Sequence, residues 1–162
     1  MDEVDRIVAA WRRERPDLDV APLEVLSRVS RLSRLLDKAR SAAFARHGLE
    51  TWEFDVLSAL RRAGAPYQLS PGQLVGATMV TSGTMTNRID RLTARGFVRR
   101  LPDPADGRGV MVRLEENGRA VTDAALADLL EVERSVLVAL DSGEHDQLSR
   151  LLRDLLTAFD PA

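Results

Sequence analysis

Near Gly96 the apolar residues of this chain change from helical spacing to alternation, and this change constrains the fold more than any other feature of the sequence. Before that point, Ser70–Gln73 combines an N-cap serine, a proline at the first helical position and a glutamine three residues after the cap. This pattern predicts a short helix from Pro71. Thr81 or Ser82 can cap the next helix, which Gly96 ends with a left-handed C-cap. Two short helices joined by a tight turn form a helix-turn-helix.

Two strands are predicted directly after this helix pair. Residues 97–101 and 110–114 are rich in apolar and branched side chains, whereas the segment 102–109 between them contains two prolines and two glycines. That segment cannot be regular, so the prediction is a β-hairpin with a long tip, called the wing below. The helix that precedes the wing is expected to face inward with Met85, Ile89 and Leu92.

Amphipathic helices are predicted on both sides of this central unit. Apolar residues three and four apart predict helices over about 22–45 and 52–63, a short leading helix around Val4–Trp11, and two leucine-rich helices after the wing. The fold class is thus mainly α with a small β-hairpin wing. One compact unit cannot cover the apolar surface of the outer helices, which favours a homodimer. The predicted N-terminal dimerisation helices, winged helix-turn-helix and C-terminal dimerisation helices cover residues 1–48, 49–115 and 116–162.

Composition argues against most enzyme classes. The chain has no cysteine, two histidines and a single lysine, and it lacks the glycine-rich phosphate-binding and HExxH zinc motifs. We therefore expect no enzyme activity, no cofactor and no metal site. The start Met1–Asp5 is acidic, and no apolar run approaches the ~20 residues that span a bilayer. These two features favour a cytoplasmic protein.

Charge is distributed unevenly, although the formal net charge is only −2. Residues 78–113 contain seven arginines and three aspartates, a local net charge of +4 that leaves −6 for the rest of the chain. This basic region coincides with the second helix of the pair and the wing. Duplex DNA accepts a helix in its major groove and attracts a basic hairpin to its minor groove. The polar flank of the helix predicts DNA contacts by Ser82, Thr84, Thr86, Asn87 and Arg91. A solvated helix face is the alternative interpretation of that flank.

The residues of this region resemble a known family. The segments Thr81–Leu92, Gly96–Val98 and Asp103–Arg108, followed by Leu114 and Gly118, are similar in order and spacing to the MarR family of winged helix-turn-helix regulators. The resemblance implies a dimer joined by its N- and C-terminal helices that binds a pseudo-palindromic operator, usually as a repressor. It also assigns the wing arginine to Arg108, with Asp106 as the acid that braces it.

A ligand site is suggested by charges in unexpected places. Arg88 and Asp55 each lie beside the inward stripe of their helix, where an isolated charge is costly, so a salt bridge between them is one interpretation. Arg100 could join that pair, although the neighbouring Arg99 leaves the register open by one residue. Together with Trp11 on the leading helix, the set Asp55, Arg88 and Arg100 is similar to the ligand residues of the urate-responsive branch of the family. Trp11 is alternatively an anchor that packs the leading helix.

The resemblance implies a small anionic effector. A guanidinium complements an oxyanion and stacks on a ring, and an indole supplies a flat wall and one donor. Urate is therefore the first candidate, aconitate or citrate the second, and phenolic compounds the third. A protein-interaction module without specific DNA binding is the other function that the sequence leaves open.

Overall fold

A computed structural model describes residues 1–103 and 109–159 of the chain. Asp106 and Arg108, at the tip of the predicted wing, lie outside the described residues. The chain falls into two compact units, Met1–Ala42 and the remainder. The fold is mainly helical with a small antiparallel sheet, which confirms the predicted class. In chain order the elements are α1 (Glu3–Glu14), α2 (Ala21–Ala45), α3 (Thr51–Arg62), β1 (Gln68–Leu69), α4 (Pro71–Thr78), α5 (Ser82–Ala94), β2 (Val98–Pro102), β3 (Val110–Leu114), α6 (Glu116–Leu137) and α7 (Ser142–Thr157).

The first unit is held together by a few buried valines and a group of ion pairs. Val4 and Val8 of α1 are buried in a small apolar cluster. Arg28 of α2 reaches back to the carboxylates of Asp2 and Asp5, at 2.8 and 2.5 Å. Those two acids also cap the start of α1, since each carboxylate accepts the backbone amide of the other residue. Charge and capping therefore fix α1 against α2 with little apolar burial.

Much of the predicted apolar surface of the outer helices is exposed in the single chain. On α1, Ile7 and Trp11 are exposed although the neighbouring valines are buried. None of the described residues of α7 is buried, although the helix is leucine-rich. Other exposed apolar side chains of the outer helices are Val25, Leu26, Val29, Leu32, Leu35, Leu126, Leu130, Val136, Leu151, Leu152, Leu155 and Leu156. Within the part of the chain that the structure describes, no helix combines the length and apolar character needed to cross a membrane.

The second unit contains the main core, to which α5 contributes one complete face. Met85, Ile89 and Leu92 are buried, as the helical spacing predicts. Burying each such side chain stabilises the fold by roughly 1.5–3 kcal/mol relative to its exposure. The rings of Phe44 and Phe54 stack in the same core with centroids 4.1 Å apart. The opposite face of α5 is consequently directed to solvent.

The cap of α4 is the one that the sequence predicts, and the cap of α5 is the first of its two candidates. Ser70 Oγ accepts the Gln73 amide at 3.2 Å, and Gln73 Oε1 accepts the Ser70 amide at 2.8 Å. At the start of α5, Thr81 Oγ1 accepts the Thr84 amide at 3.3 Å, which identifies Thr81 as the N-cap. Gly96 follows the C-cap of α5 with a φ of 70°, a left-handed conformation that glycine adopts without steric cost.

The sheet contains one strand that the sequence did not predict. Strand β1 pairs antiparallel with β3, which also pairs with β2, so the order is β1-β3-β2. The partners are Gln68 with Arg113 and Leu69 with Val112. A strand of two residues is too short to show the alternation by which strands are recognised. It forms because the outer edge of β3 is available when the chain returns from α3.

The start of α6 packs directly on the chain that leaves α5. The Glu115 amide donates to the Phe97 carbonyl oxygen at 2.9 Å. A Cβ placed on Gly118 would lie 2.2 Å from that same oxygen, well inside any allowed contact. Thr122, which is buried, donates its hydroxyl to the Gly118 carbonyl at 2.6 Å. Position 118 therefore requires glycine for close approach between two backbones.

Replacing this glycine should destabilise the fold. We expect Gly118→Ala to lower the free energy of unfolding by about 1–3 kcal/mol, because the new methyl group must displace backbone. Gly76→Ala is the matched control, since Gly76 lies in α4 with open space around its Cα. There, alanine should stabilise by about 0.5–1 kcal/mol through helix propensity. Urea denaturation of both variants measures the difference, and equal effects at the two positions would contradict the close approach.

Candidate nucleic-acid interface and adjoining cleft

The solvent face of α5 presents short polar side chains in a regular arrangement. Ser82, Thr84, Thr86 and Asn87 are all exposed. Thr86 donates its hydroxyl to the Ser82 carbonyl at 3.1 Å, and Thr84 accepts the Thr81 hydroxyl at 2.9 Å. These bonds fix the orientation of two hydroxyls while leaving their outer sides open to solvent. The structure thus brings the predicted DNA-contacting residues of α5 to one surface.

Arg91 lies on the same helix but is held by residues of α3 and its N-cap. Its Nη2 donates to Glu50 Oε1 at 2.9 Å, and its guanidinium carbon lies 4.7 Å from the centre of the Trp52 ring. Arg88, one turn earlier, lies 5.4 Å from the same ring. Two guanidinium groups therefore contact one indole, a favourable cation–π arrangement. Any anion that binds Arg91 must compete with Glu50.

A cleft of about 550 Å³ opens between the start of α3 and the polar face of α5. Its lining combines the indole of Trp52, the positive charges of two arginines and the carboxylate of Glu50. The lining residues are Glu50, Trp52, Gly83, Thr84, Asn87, Arg88 and Arg91. The predicted DNA-contacting face and the predicted effector residue Arg88 thus meet in one concave surface.

The Glu50 carboxylate is kept ionised by its neighbours. Its pKa lies below the ordinary value, first because Trp52 Nε1 donates to Oε2 at 2.6 Å and further because Arg91 donates to Oε1. Sequence reasoning placed Trp52 in the apolar stripe of its helix and did not single out Glu50. Two arginines three residues apart on α5 could have suggested an acid nearby. That acid can be identified as Glu50 only when α3 and α5 are known to be neighbours.

Arg88 contacts an aromatic ring in the structure, and its salt bridge with Asp55 stays a prediction. Its guanidinium lies over the ring of Trp52, near the start of α3. Arg100 forms an ion pair with Asp90, in which Nη2 and Oδ1 are 2.8 Å apart. Asp55 is half-buried on α3, where its backbone carbonyl accepts the Ser58 hydroxyl at 3.1 Å.

The alternation of β2 separates the two candidate arginines that follow α5. Arg100 extends toward α5 and reaches Asp90, whereas Arg99 Nε lies 2.7 Å from the Glu115 carboxylate before α6. Arg100 is therefore the one on the α5 side. The remaining predicted ligand residue, Trp11, belongs to the first unit and is 48% exposed.

A capped helix pair, an exposed polar face on its second helix and a following antiparallel hairpin together define a winged helix-turn-helix DNA-binding protein. Comparison with known proteins agrees with this class. The model of the MarR family matches residues 47–109. The transcriptional regulator PecS of Dickeya dadantii is 43% identical over 150 residues, which cover 93% of this chain and 90% of PecS. The chain therefore belongs to the MarR family of transcriptional regulators.

Two solved structures show the same fold. A mutant MarR from Escherichia coli complexed with operator DNA has a TM-score of 0.70 at 27% identity, over 85% of this chain and 95% of MarR. BpsR of Bordetella bronchiseptica, whose DNA binding is regulated by 6-hydroxynicotinic acid, has a TM-score of 0.61 at 30% identity, over 79% of this chain and 98% of BpsR.

The Glu50 contacts should stabilise the fold at neutral pH but not in acid. Because the folded pKa of Glu50 lies below its ordinary value of 4.5, its contribution is complete above that value and is lost as pH falls through the folded pKa. The free energies of unfolding of wild type and Glu50→Gln should therefore differ at neutral pH and converge in acid. Urea denaturation across pH measures this, with Glu14→Gln, at an exposed pair on α1, as the control for charge removal. A Glu50→Gln difference that stays constant into acid would refute the prediction.

Proposed function

We propose that this protein is a cytoplasmic, homodimeric repressor that binds a pseudo-palindromic operator and is released by a small organic anion, with urate as the first candidate. The observation that carries the proposal is the exposed polar face of α5, which is presented by a capped helix pair in a basic region. Membership of the MarR family supports DNA binding, and the regulation of BpsR by 6-hydroxynicotinic acid supports response to an aromatic anion.

In this proposal α5 is the recognition helix and enters the major groove. Ser82, Thr84, Thr86 and Asn87 supply short donors and acceptors for phosphates and base edges, and Arg91 supplies a guanidinium. Arg108, at the wing tip, reaches the minor groove, where negative potential attracts it, and Asp106 braces it. Each protomer then reads one half-site, and the half-sites are ~34 Å apart when they lie one turn apart.

Dimerisation is the proposed reason for the exposed apolar side chains of the outer helices. The exposed leucines and valines of α2, α6 and α7 recur at helical spacing, so each helix has an apolar face that its own chain leaves to solvent. Such faces are typical of interfaces between identical subunits. We propose that residues 1–48 and 116–162 form the dimer interface and that residues 49–115 form the DNA-binding lobe.

The effector is proposed to bind Trp11, Asp55, Arg88 and Arg100, as the resemblance to the urate-responsive branch implies. Arg88 now contacts Trp52, and Arg100 now pairs with Asp90. An anion that attracts both arginines competes with these contacts and displaces α5. The ligand releases DNA only if it binds the displaced state more tightly, and a tenfold loss of operator affinity requires about 1.4 kcal/mol of coupling.

The first experiment is a titration of duplex DNA from upstream of the protein's own gene, with and without urate. Specific binding that urate weakens supports both parts of the proposal. If DNA binding is unaffected by urate but is weakened by aconitate, citrate or a phenolic compound, only the effector in the proposal changes. The absence of salt-dependent binding to any duplex would favour the protein-interaction module.

Arg108→Ala should weaken operator binding and leave the dimer intact, as measured by the same titration and by sedimentation. Removal of this cation should also lower the slope of log affinity against log salt, by ~0.9 for each phosphate charge that it neutralises. Arg13→Ala, at an exposed pair on α1, is the control. Unchanged affinity in the Arg108 variant would remove the wing from the proposal.

Arg88→Ala should keep a measurable DNA complex but reduce release by urate. The side chain lies over Trp52 and lines the cleft, so its removal takes away one cation without opening the core. The measurement is the operator dissociation constant of the wild type and of the variant, each with and without urate. Equal urate sensitivity in the variant and the wild type would exclude Arg88 as an effector contact.

A further inference from the structure

A buried carboxylate lies beneath the end of the recognition helix, outside the surfaces described above. Glu53 in the first turn of α3 is only 2% exposed, yet the sequence gives no reason to bury an acid there. Nη1 of Arg95 lies 2.7 and 2.6 Å from its two carboxylate oxygens, and the Glu50 amide donates to one of them at 2.9 Å. Burial of an ionised acid is costly unless every oxygen is paired, and these contacts provide the pairing.

Arg95 is itself fixed by three different kinds of contact. Besides the Glu53 carboxylate, its Nη2 donates to the Gly48 carbonyl at 2.9 Å. Its guanidinium carbon also lies 4.6 Å from the centre of the Phe97 ring. A planar guanidinium can make all three contacts at once, whereas a lysine ammonium is a compact charge without a planar fork. These contacts fix the position of the Arg95 guanidinium and place a negative charge beside it.

This cluster lies where the recognition helix ends. Arg95 is the C-cap of α5, and Gly96 then turns the chain so that the Phe97 amide donates to the Leu92 carbonyl at 3.1 Å. The Phe97 carbonyl accepts the Glu115 amide just before α6. Within three residues, the end of α5 is therefore tied to the start of α3 through a side chain and to the start of α6 through the backbone.

We propose that Arg95 and Glu53 are positioning residues for operator binding. The pair fixes the direction of α5 relative to α3 and α6, and through α6 it sets the separation of the two recognition helices in the dimer. This inference rests on the proposed function as a dimeric DNA-binding regulator. Neither side chain needs to touch DNA, because their effect is to keep the protein in the arrangement that matches the operator.

The test compares operators that differ in half-site spacing. Wild type, Arg95→Lys and Glu53→Gln are titrated with the native operator and with versions lengthened or shortened by one base pair between half-sites. Arg95→Lys should bind the native operator about tenfold more weakly, since a charged hydrogen bond is lost or misaligned. It should also discriminate several-fold less between spacings, with an unchanged salt slope.

Two further variants separate positioning from other effects. Arg61→Lys is the matched control, because Arg61 also forms an ion pair, with the exposed Asp123 on α6, but lies away from the end of α5. The double variant Glu53→Met with Arg95→Met leaves no buried charge and keeps the test available if a single variant unfolds. It should fold and still lose spacing discrimination.

The outcomes distinguish this inference from the proposed function. If wild type binds no duplex specifically, both fail. If wild type binds and the variants match it at every spacing, only the positioning role is refuted. A reduced salt slope in the double variant, which removes the Arg95 charge, would show direct phosphate contact. An equal loss at all spacings would show a purely structural role; either result overturns the inference.

Discussion

The burial of one face of α5 is the constraint on which the rest of the structure depends. Because Met85, Ile89 and Leu92 are sequestered in the core, the rotation of this helix about its axis is fixed. Its opposite face then has to present Thr84 and Asn87 to solvent. The same rotation carries Arg88 and Arg91 to the edge of the helix, where they meet the indole of α3. Apolar packing thus decides where the polar chemistry lies.

The arginines of the basic region are less available to bind an anion than the net charge of the region suggests, because several of them already pair with acids of the chain. Arg91 is held by Glu50, Arg100 by Asp90, and Arg95 by Glu53. The first two pairs are exposed, and exposed pairs contribute little to stability. A phosphate or an organic anion can therefore displace the exposed acids at a modest cost in free energy. Displacing Glu53 would instead leave a buried carboxylate without its partner, which costs much more. The exposed pairs are suited to exchange of partners, and the pair with the buried Glu53 is suited to fixing geometry.

The outer helices differ from the central unit in how little of their apolar surface is buried within the single chain. Their apolar residues recur at helical spacing, yet many remain exposed in the single chain, and the described part of α7 buries none. The proposed dimer interface accounts for this pattern, because apolar side chains are retained on a surface when another subunit covers them. Folding of the central unit and assembly of the dimer then depend on separate sets of residues.

The sequence by itself determined the features that depend on neighbouring residues: the cap at Ser70, a cap at Thr81 or Ser82, the left-handed turn at Gly96, the inward face of α5 and the hairpin. These follow from local hydrogen bonds and from spacing along one helix. Only the tertiary structure decided that Arg88 lies over the ring of Trp52. The strand β1 and the burial of Glu53 likewise could not be predicted from the sequence. Each depends on which distant element packs alongside, and a side chain several ångströms long has several possible partners until that packing is known.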